Sequence, residues 1–200
     1  MSERAVHRMT AEEFLEWDQF QEDRHELADG LPVAMADANR RHDLIVVNAI
    51  SSIAGQLPSG LGEVFTADTA VRIPAGNIRR PDLGVDCGRF IDDAAAADAP
   101  ALVIEVLSPS TREFDMFVKL DEYKTVESLT HIVLIDPDTP QIIHWTRAPA
   151  EAWTIHEIEG LDAHVALPEL NVTLSLAVLY AGLTSRPRPR LIADEDLANA

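Results

Sequence analysis

Ala101-Leu-Val-Ile-Glu105-Val-Leu107, running on into Ser108-Pro-Ser-Thr111, is the stretch from which the fold can be read. Nearly continuous apolar residues of this kind predict a central strand covered on both faces. Glu105 interrupts the run, and an ionised carboxylate at such a position is costly unless it is paired, hydrogen-bonded or holding a metal. Glu105 is therefore the first candidate for chemistry. Downstream, Ser110 and Glu113 have capping-box spacing and predict a helix to about Val126. Upstream, Pro81-Asp82 opens a short strand over Asp82–Cys87, with Leu83, Val85 and Cys87 alternating against Asp82, Gly84 and Asp86. If the two strands are neighbours and the side chains share a face, the Asp82 and Glu105 carboxylates reach one ion.

Further out, Thr10 and Glu13 form a second capping box, for a helix ending near Phe20. His25–Ala28 and Leu31–Met35, joined at Asp29-Gly30, read as a hairpin carrying Glu26. Leu44, Val47, Ile50 and Ala54 recur at helical spacing over 43–57, and Val64–Ile73 shows partial period-two alternation expected of one strand. Ile132–Ile135 is a further buried strand that stops at Asp136-Pro137. Gln141–Arg147 and Trp153–Glu157 form an antiparallel pair, and Leu170–Tyr180 is a last apolar segment of strand then helix. This mixture predicts an α/β (mixed α+β) fold, a curved mixed sheet flanked by helices, in one domain over 1–184 with a flexible tail over 185–200.

The chain has 200 residues, 46% of them hydrophobic, which suits one domain with a moderate core. One cysteine, Cys87, excludes an internal disulfide framework and fits a reducing compartment. No apolar run approaches the length of about 18 residues that marks a membrane span, and the first residues lack a secretion signal, so a cytoplasmic protein is expected. The formal charge of −18, from 34 acids against 16 bases, opposes nonspecific binding to a nucleic-acid backbone. Basic spots at Arg40-Arg41, Arg79-Arg80 and the Arg186, Arg188, Arg190 tail read as solvated surface.

Two carboxylates and an amine define the candidate site. Asp82 and Glu105 suit Mg²⁺, which prefers oxygen ligands and keeps several waters. Lys119 supplies positive charge for phosphate oxygens. Asp115, Lys119 and Tyr123, four residues apart, share one helix face, so Asp115 can orient the amine. Glu26 is a possible third acid, and His42, at the start of the second helix, a base or phosphate contact. Each has a plainer reading: an edge aspartate for Asp82, a surface ion pair for Asp115 with Lys119, an exposed strand acid for Glu26, a surface histidine for His42. His144 and His156, on outer strands, are expected to pack or face water.

These residues resemble the Uma2 family of bacterial proteins, labelled restriction endonucleases within the PD-(D/E)XK nuclease-like superfamily. The resemblance runs from about Met9 to Tyr180. It is carried by His25-Glu26-Leu-x-Asp29-Gly30, His42, Pro81-Asp82, Glu105-Val-Leu-Ser-Pro-Ser-Thr111, Asp115, Lys119, Tyr123 and Ile135-Asp136-Pro137. It implies a restriction-endonuclease-like core, often a homodimer, and a Mg²⁺-dependent phosphodiesterase site acting on DNA, with Mn²⁺ as a possible substitute. Glu26, Asp82 and Glu105 then look like the acidic set. The superfamily lysine, two residues after the second acid, is here Leu107, and Lys119 looks like its migrated replacement. Met116, Phe117 and Val118, where relatives place polar residues, suggest an interface. A catalytically inactive module on the same scaffold and a metal-dependent hydrolase of a smaller phosphate are the competing readings.

Overall fold

The computed structural model of the protein describes residues 7–35, 38–108, 114–148 and 151–186, with 114–116 described by backbone alone. Helix α1 (Ala11–Asp18) is followed by β1 (His25–Ala28), β2 (Leu31–Ala34) and helix α2 (Arg40–Ala54). Four short strands come next: β3 (Glu63–Thr66), β4 (Val71–Arg72), β5 (Ile78–Arg79) and β6 (Leu83–Asp86). The long strand β7 (Pro100–Val106) precedes a π-helical turn, Phe114–Lys119, that runs directly into α3 (Leu120–Tyr123). The chain closes with β8 (His131–Ile135), β9 (Gln141–Thr146), β10 (Thr154–Glu159), β11 (His164–Leu167), β12 (Val172–Ser175) and α4 (Leu176–Leu179).

The body is a six-stranded sheet in the order β10-β9-β8-β7-β6-β3, mixed because only β7 and β8 run parallel. A four-stranded sheet, β2-β1-β5-β4, and the β11-β12 pair complete the mixed architecture, so the strands form three sheets. Strand β7 organises the packing through its two-residue period. Leu102, Ile104 and Val106 meet Ile45, Ala49 and Ile53 of α2, together with Leu174 and Leu176 from the C-terminal elements. Val103 and Leu107, on the other face, meet Phe65, Leu120, Tyr123 and Leu134. Glu105 belongs to this second row. The smaller sheet packs Leu27 and Ile78 on Phe14 and Leu15 of α1.

Local chemistry explains the boundaries. Thr10 accepts from the Glu13 amide and the Glu13 carboxylate accepts from the Thr10 amide, closing the predicted capping box. Asp29 (φ 49°) and Gly30 (φ 77°) make the tight turn of the β1–β2 hairpin, as their dipeptide foretold. Helix α2 starts earlier than its apolar stripe suggests, because the Asn39 side chain caps the amides of Arg41 and His42. The single strand expected over Val64–Ile73 is divided: a turn closed by Thr69 N–H donating to the Thr66 carbonyl separates β3 from β4. β3 then stays with the large sheet while β4 joins the small one. A Cβ on Gly84 would collide with the Phe65 ring and the Leu102 carbonyl, so glycine lets that ring lie across the sheet. The capping box at Ser110 and Glu113 lies outside the described residues. The helix expected beyond it ends at Tyr123, short of Val126.

Candidate active site

Strands β6 and β7 are antiparallel neighbours with Leu83 opposite Ile104 and Gly84 opposite Val103. Continuing that register by one residue sets Asp82 across from Glu105, on the face they share with Gly84 and Val103. The Asp82 carboxylate turns to the end of the ladder. Its Oδ2 accepts from the Val106 amide at 2.7 Å and lies 3.0 Å from His42 Nε2 of α2. Glu105, 4% exposed, accepts the Tyr123 hydroxyl at 2.8 Å and lies 3.3 Å from Lys119 Nζ, both through Oε1. Lys119 and Tyr123, four residues apart at the two ends of α3, share one helix face and so reach the same carboxylate. Burial, then the charges of Glu105 and Glu26, push the Tyr123 phenol well above its ordinary range, so it remains a proton donor.

Glu26 approaches from the small sheet. Its Oε1 lies 3.0 Å from Lys119 Nζ and accepts the Arg80 amide at 2.9 Å, while Oε2 pairs with the Arg79 guanidinium at 3.2 Å. Glu122 of α3 holds Arg79 from the other side, and Asn77 donates to Glu122 at 2.6 Å. The auxiliary acid is thus the counter-ion that fixes the lysine, with both oxygens engaged by protein donors. A continuous ionic chain, Glu122–Arg79–Glu26–Lys119–Glu105, joins the two sheets beneath the site.

The structure overturns a further reading of the sequence. Arg79 and Arg80, taken as solvated surface, are 1% and 6% exposed. Arg80 pairs with Asp18 and donates to the carbonyls of His25, Ala67 and Asp68, tying the turn after β3 to the hairpin. Neither arginine has an apolar period that would reveal its burial. The readable signal was Glu122, which stands three residues after Lys119 and so on its side of the helix. The Asp115 side chain lies outside what is described, so the proposed Asp115–Lys119 pair has no geometry here.

Asp82, Glu105, Lys119, Glu26 and His42 all border one cleft of about 1150 Å³. Asp82, Glu105, Glu26 and Glu122 bring four carboxylates against the two cations Lys119 and Arg79, which leaves two negative charges when His42 is neutral. Among the described residues no three histidine, cysteine or acidic side chains converge as a ready-made ligand set. Two carboxylates nonetheless fit Mg²⁺, which binds through one or two of them and retains its waters.

A second buried polar group lies at the far end of the large sheet. His131 Nδ1 is 3.0 Å from His144 Nε2, and His131 Nε2 is 2.8 Å from the Glu169 carboxylate. The His156 ring, exposed on β10, stands 6.0 Å from that of His144. His144 is buried, as packing required, and it pairs with a histidine that sequence spacing did not connect to it.

Comparison with known proteins agrees with this architecture. The solved structure titled a "putative nuclease belonging to DUF820", from Anabaena variabilis, superposes with a TM-score of 0.68 at 21% identity, covering 86% of this chain and 98% of that one. Two uncharacterized proteins of Synechocystis sp. are similar along most of their lengths. The protein slr1290 is 28% identical over 178 residues, covering 88% of this chain and 93% of its own. The protein sll1609 is 26% identical over 161 residues, covering 78% and 91%. The family model described as "Putative restriction endonuclease" matches residues 11–179, and the chain belongs to that family, Uma2.

Proposed function

We propose that this protein is a nuclease: a Mg²⁺-dependent endonuclease hydrolysing DNA phosphodiester bonds. The observation that carries the reading is the Lys119 amine at 3.3 Å from Glu105 and 3.0 Å from Glu26, on a cleft that Asp82 also lines. Asp82 and Glu105 would hold the ion, with Mn²⁺ able to replace it. When bound, a divalent ion polarises the phosphoryl oxygen and lowers the pKa of a coordinated water.

The chain's own groups do the rest. Lys119, held between two carboxylates, directs its charge at the cleft floor, where phosphate oxygens gain charge as the bond breaks. Tyr123 and Lys119 hold Glu105 in one orientation, and the Val106 amide with His42 does the same for Asp82. His42 also carries a nitrogen base beside the Asp82 carboxylate. In the overall reaction water adds to phosphorus, one P–O ester bond breaks, and the departing oxygen takes a proton to leave as an alcohol. A homodimer is part of the same reading, supported by Phe117 and Val118, which are 64% and 44% exposed on the turn that carries Lys119.

Calorimetric titration of Mn²⁺ into wild type and Glu105→Ala tests the site. Binding in the first and loss in the second is the expected result. Equal and negligible heats in both would sink the metal site. No helix among the described residues is long and apolar enough to cross a membrane.

A further inference from the structure

The cleft has two chemically unlike linings. Asp82, Glu105 and Lys119 form the charged part. Val33, Ala34 and Met35 at the end of the hairpin, with Ala38 just before α2 and Val46 within it, form an aliphatic part. Around them stand Glu22, Asp23, Asp43 and Asp68, and Arg24 is tied to Asp68 at 2.7 Å.

A DNA duplex needs the opposite arrangement. It hides its base faces in the stack and presents a phosphate for every 1.7 Å or so of axis, which binding proteins meet with free lysines and arginines. Here six of the described bases are committed internally. Arg79, Arg80 and Lys119 are buried in ion pairs. Arg24, Arg72 and Arg89 are held by Asp68, Glu12 and Asp98. The chain as a whole carries −18. A volume of about 1150 Å³ is of the order of small-molecule clefts, far from the broad positive face that grips a duplex. An unstacked strand, in contrast, offers apolar base faces to an aliphatic wall and can bend one phosphate down to a buried floor.

We propose that the cleft takes a single-stranded stretch of a few nucleotides, with bases against Val33 and Met35 and the scissile phosphate at Glu105 and Lys119, in preference to a duplex. This rests on the nuclease reading and narrows its substrate. DNA and RNA strands share the chemistry invoked, so the test carries both.

The full-length protein with Mn²⁺ is given a ten-nucleotide single-stranded DNA, the RNA of the same sequence, and the blunt DNA duplex. A kcat/KM at least about tenfold higher for a single strand is expected, with weak salt dependence because few phosphates are neutralised. Equal or faster cutting of the duplex overturns this proposal and leaves the nuclease reading standing. No cutting of any of the three overturns both. Met35→Asp should raise KM for the single strand about tenfold, as a charge replaces an apolar contact. An unchanged KM would remove the base-binding wall.

Discussion

The two polar clusters buried in the large sheet occupy opposite ends and opposite faces of the adjacent strands β7 and β8. At the C-terminal end of β7, Glu105 sits among charged partners and opens to the cleft. At the N-terminal end of β8, beside Leu102, His131 and His144 share a hydrogen bond and lie away from it. The first cluster is balanced by compensation: each buried carboxylate has a cation or a hydrogen-bond donor within reach. The second is kept neutral by desolvation. Burial, followed by the repulsion of His131 and His156, lowers His144 from 6.5 to about 4, and burial lowers His131 despite its bond to Glu169. Both solutions satisfy a dry interior. Only the first leaves charge in place for chemistry on a phosphate.

The largest expected effect falls on the charged end. Glu105→Gln and Lys119→Met should each lower the cleavage rate by about 10²–10³, the usual loss when one preorganised electrostatic group is removed. Single-turnover assays on freshly folded protein would measure it. Rates within a few-fold of wild type would mean that the ionic chain is structural alone.

Stability separates the two ends next. Arg79→Met leaves Glu26 and Glu122 buried without their shared cation and should cost about 3–5 kcal/mol in chemical denaturation at neutral pH. A cost below 1 kcal/mol would show that the network is wet and weakly coupled.

The neutral end should respond to acid instead. The folded pKa of His144 is depressed, so its contribution is fully present above about 6.5. As the pH falls below that value the unfolded chain takes up protons first, and the contribution is lost progressively down to about 4. The loss should be about 3 kcal/mol from this residue, with a further decrement of the same sign from His131. Denaturation midpoints for wild type and His144→Phe across that range would measure it. An equally steep decline in the variant would assign the effect to other groups.

The smallest change concerns the exposed ring. His156→Ala removes a like charge beside His144, so the His144 titration should move up toward 6.5 by an amount worth a few tenths of a kcal/mol. NMR titration of the ring protons would detect it, and a downward movement would contradict the assigned repulsion.

Much of this was legible in the residue pattern, for a physical reason that differs from element to element. The Thr10 cap, the Asp29-Gly30 hairpin and strand β7 follow from interactions within a few residues, so local spacing was enough. Glu105 announced itself because a carboxylate inside an apolar strand has few harmless explanations. Arg79 gave no such sign. Its burial depends on Glu26 from 53 positions earlier and Glu122 from 43 later, and no local period records either partner. The division of Val64–Ile73 between two sheets was hidden for the same reason: alternation reports which face a residue takes, not which strand it joins. The histidine pair is likewise a product of the β8–β9 register, which sets Val133 against His144 and places His131 two residues away on the same face.

What the sequence determined by itself was most of the elements, though not β4, β5 and β11, and the acid, acid and amine that a phosphodiester chemistry would draw on, since periodicity, capping and desolvation act over short range. Tertiary structure alone decided that Asp82 lies across from Glu105, that Glu26 is a counter-ion for Lys119, and that buried arginines join two sheets under the cleft. Those outcomes depend on strand register and on which distant charges meet in a low-dielectric interior, where partners are chosen by the completed fold.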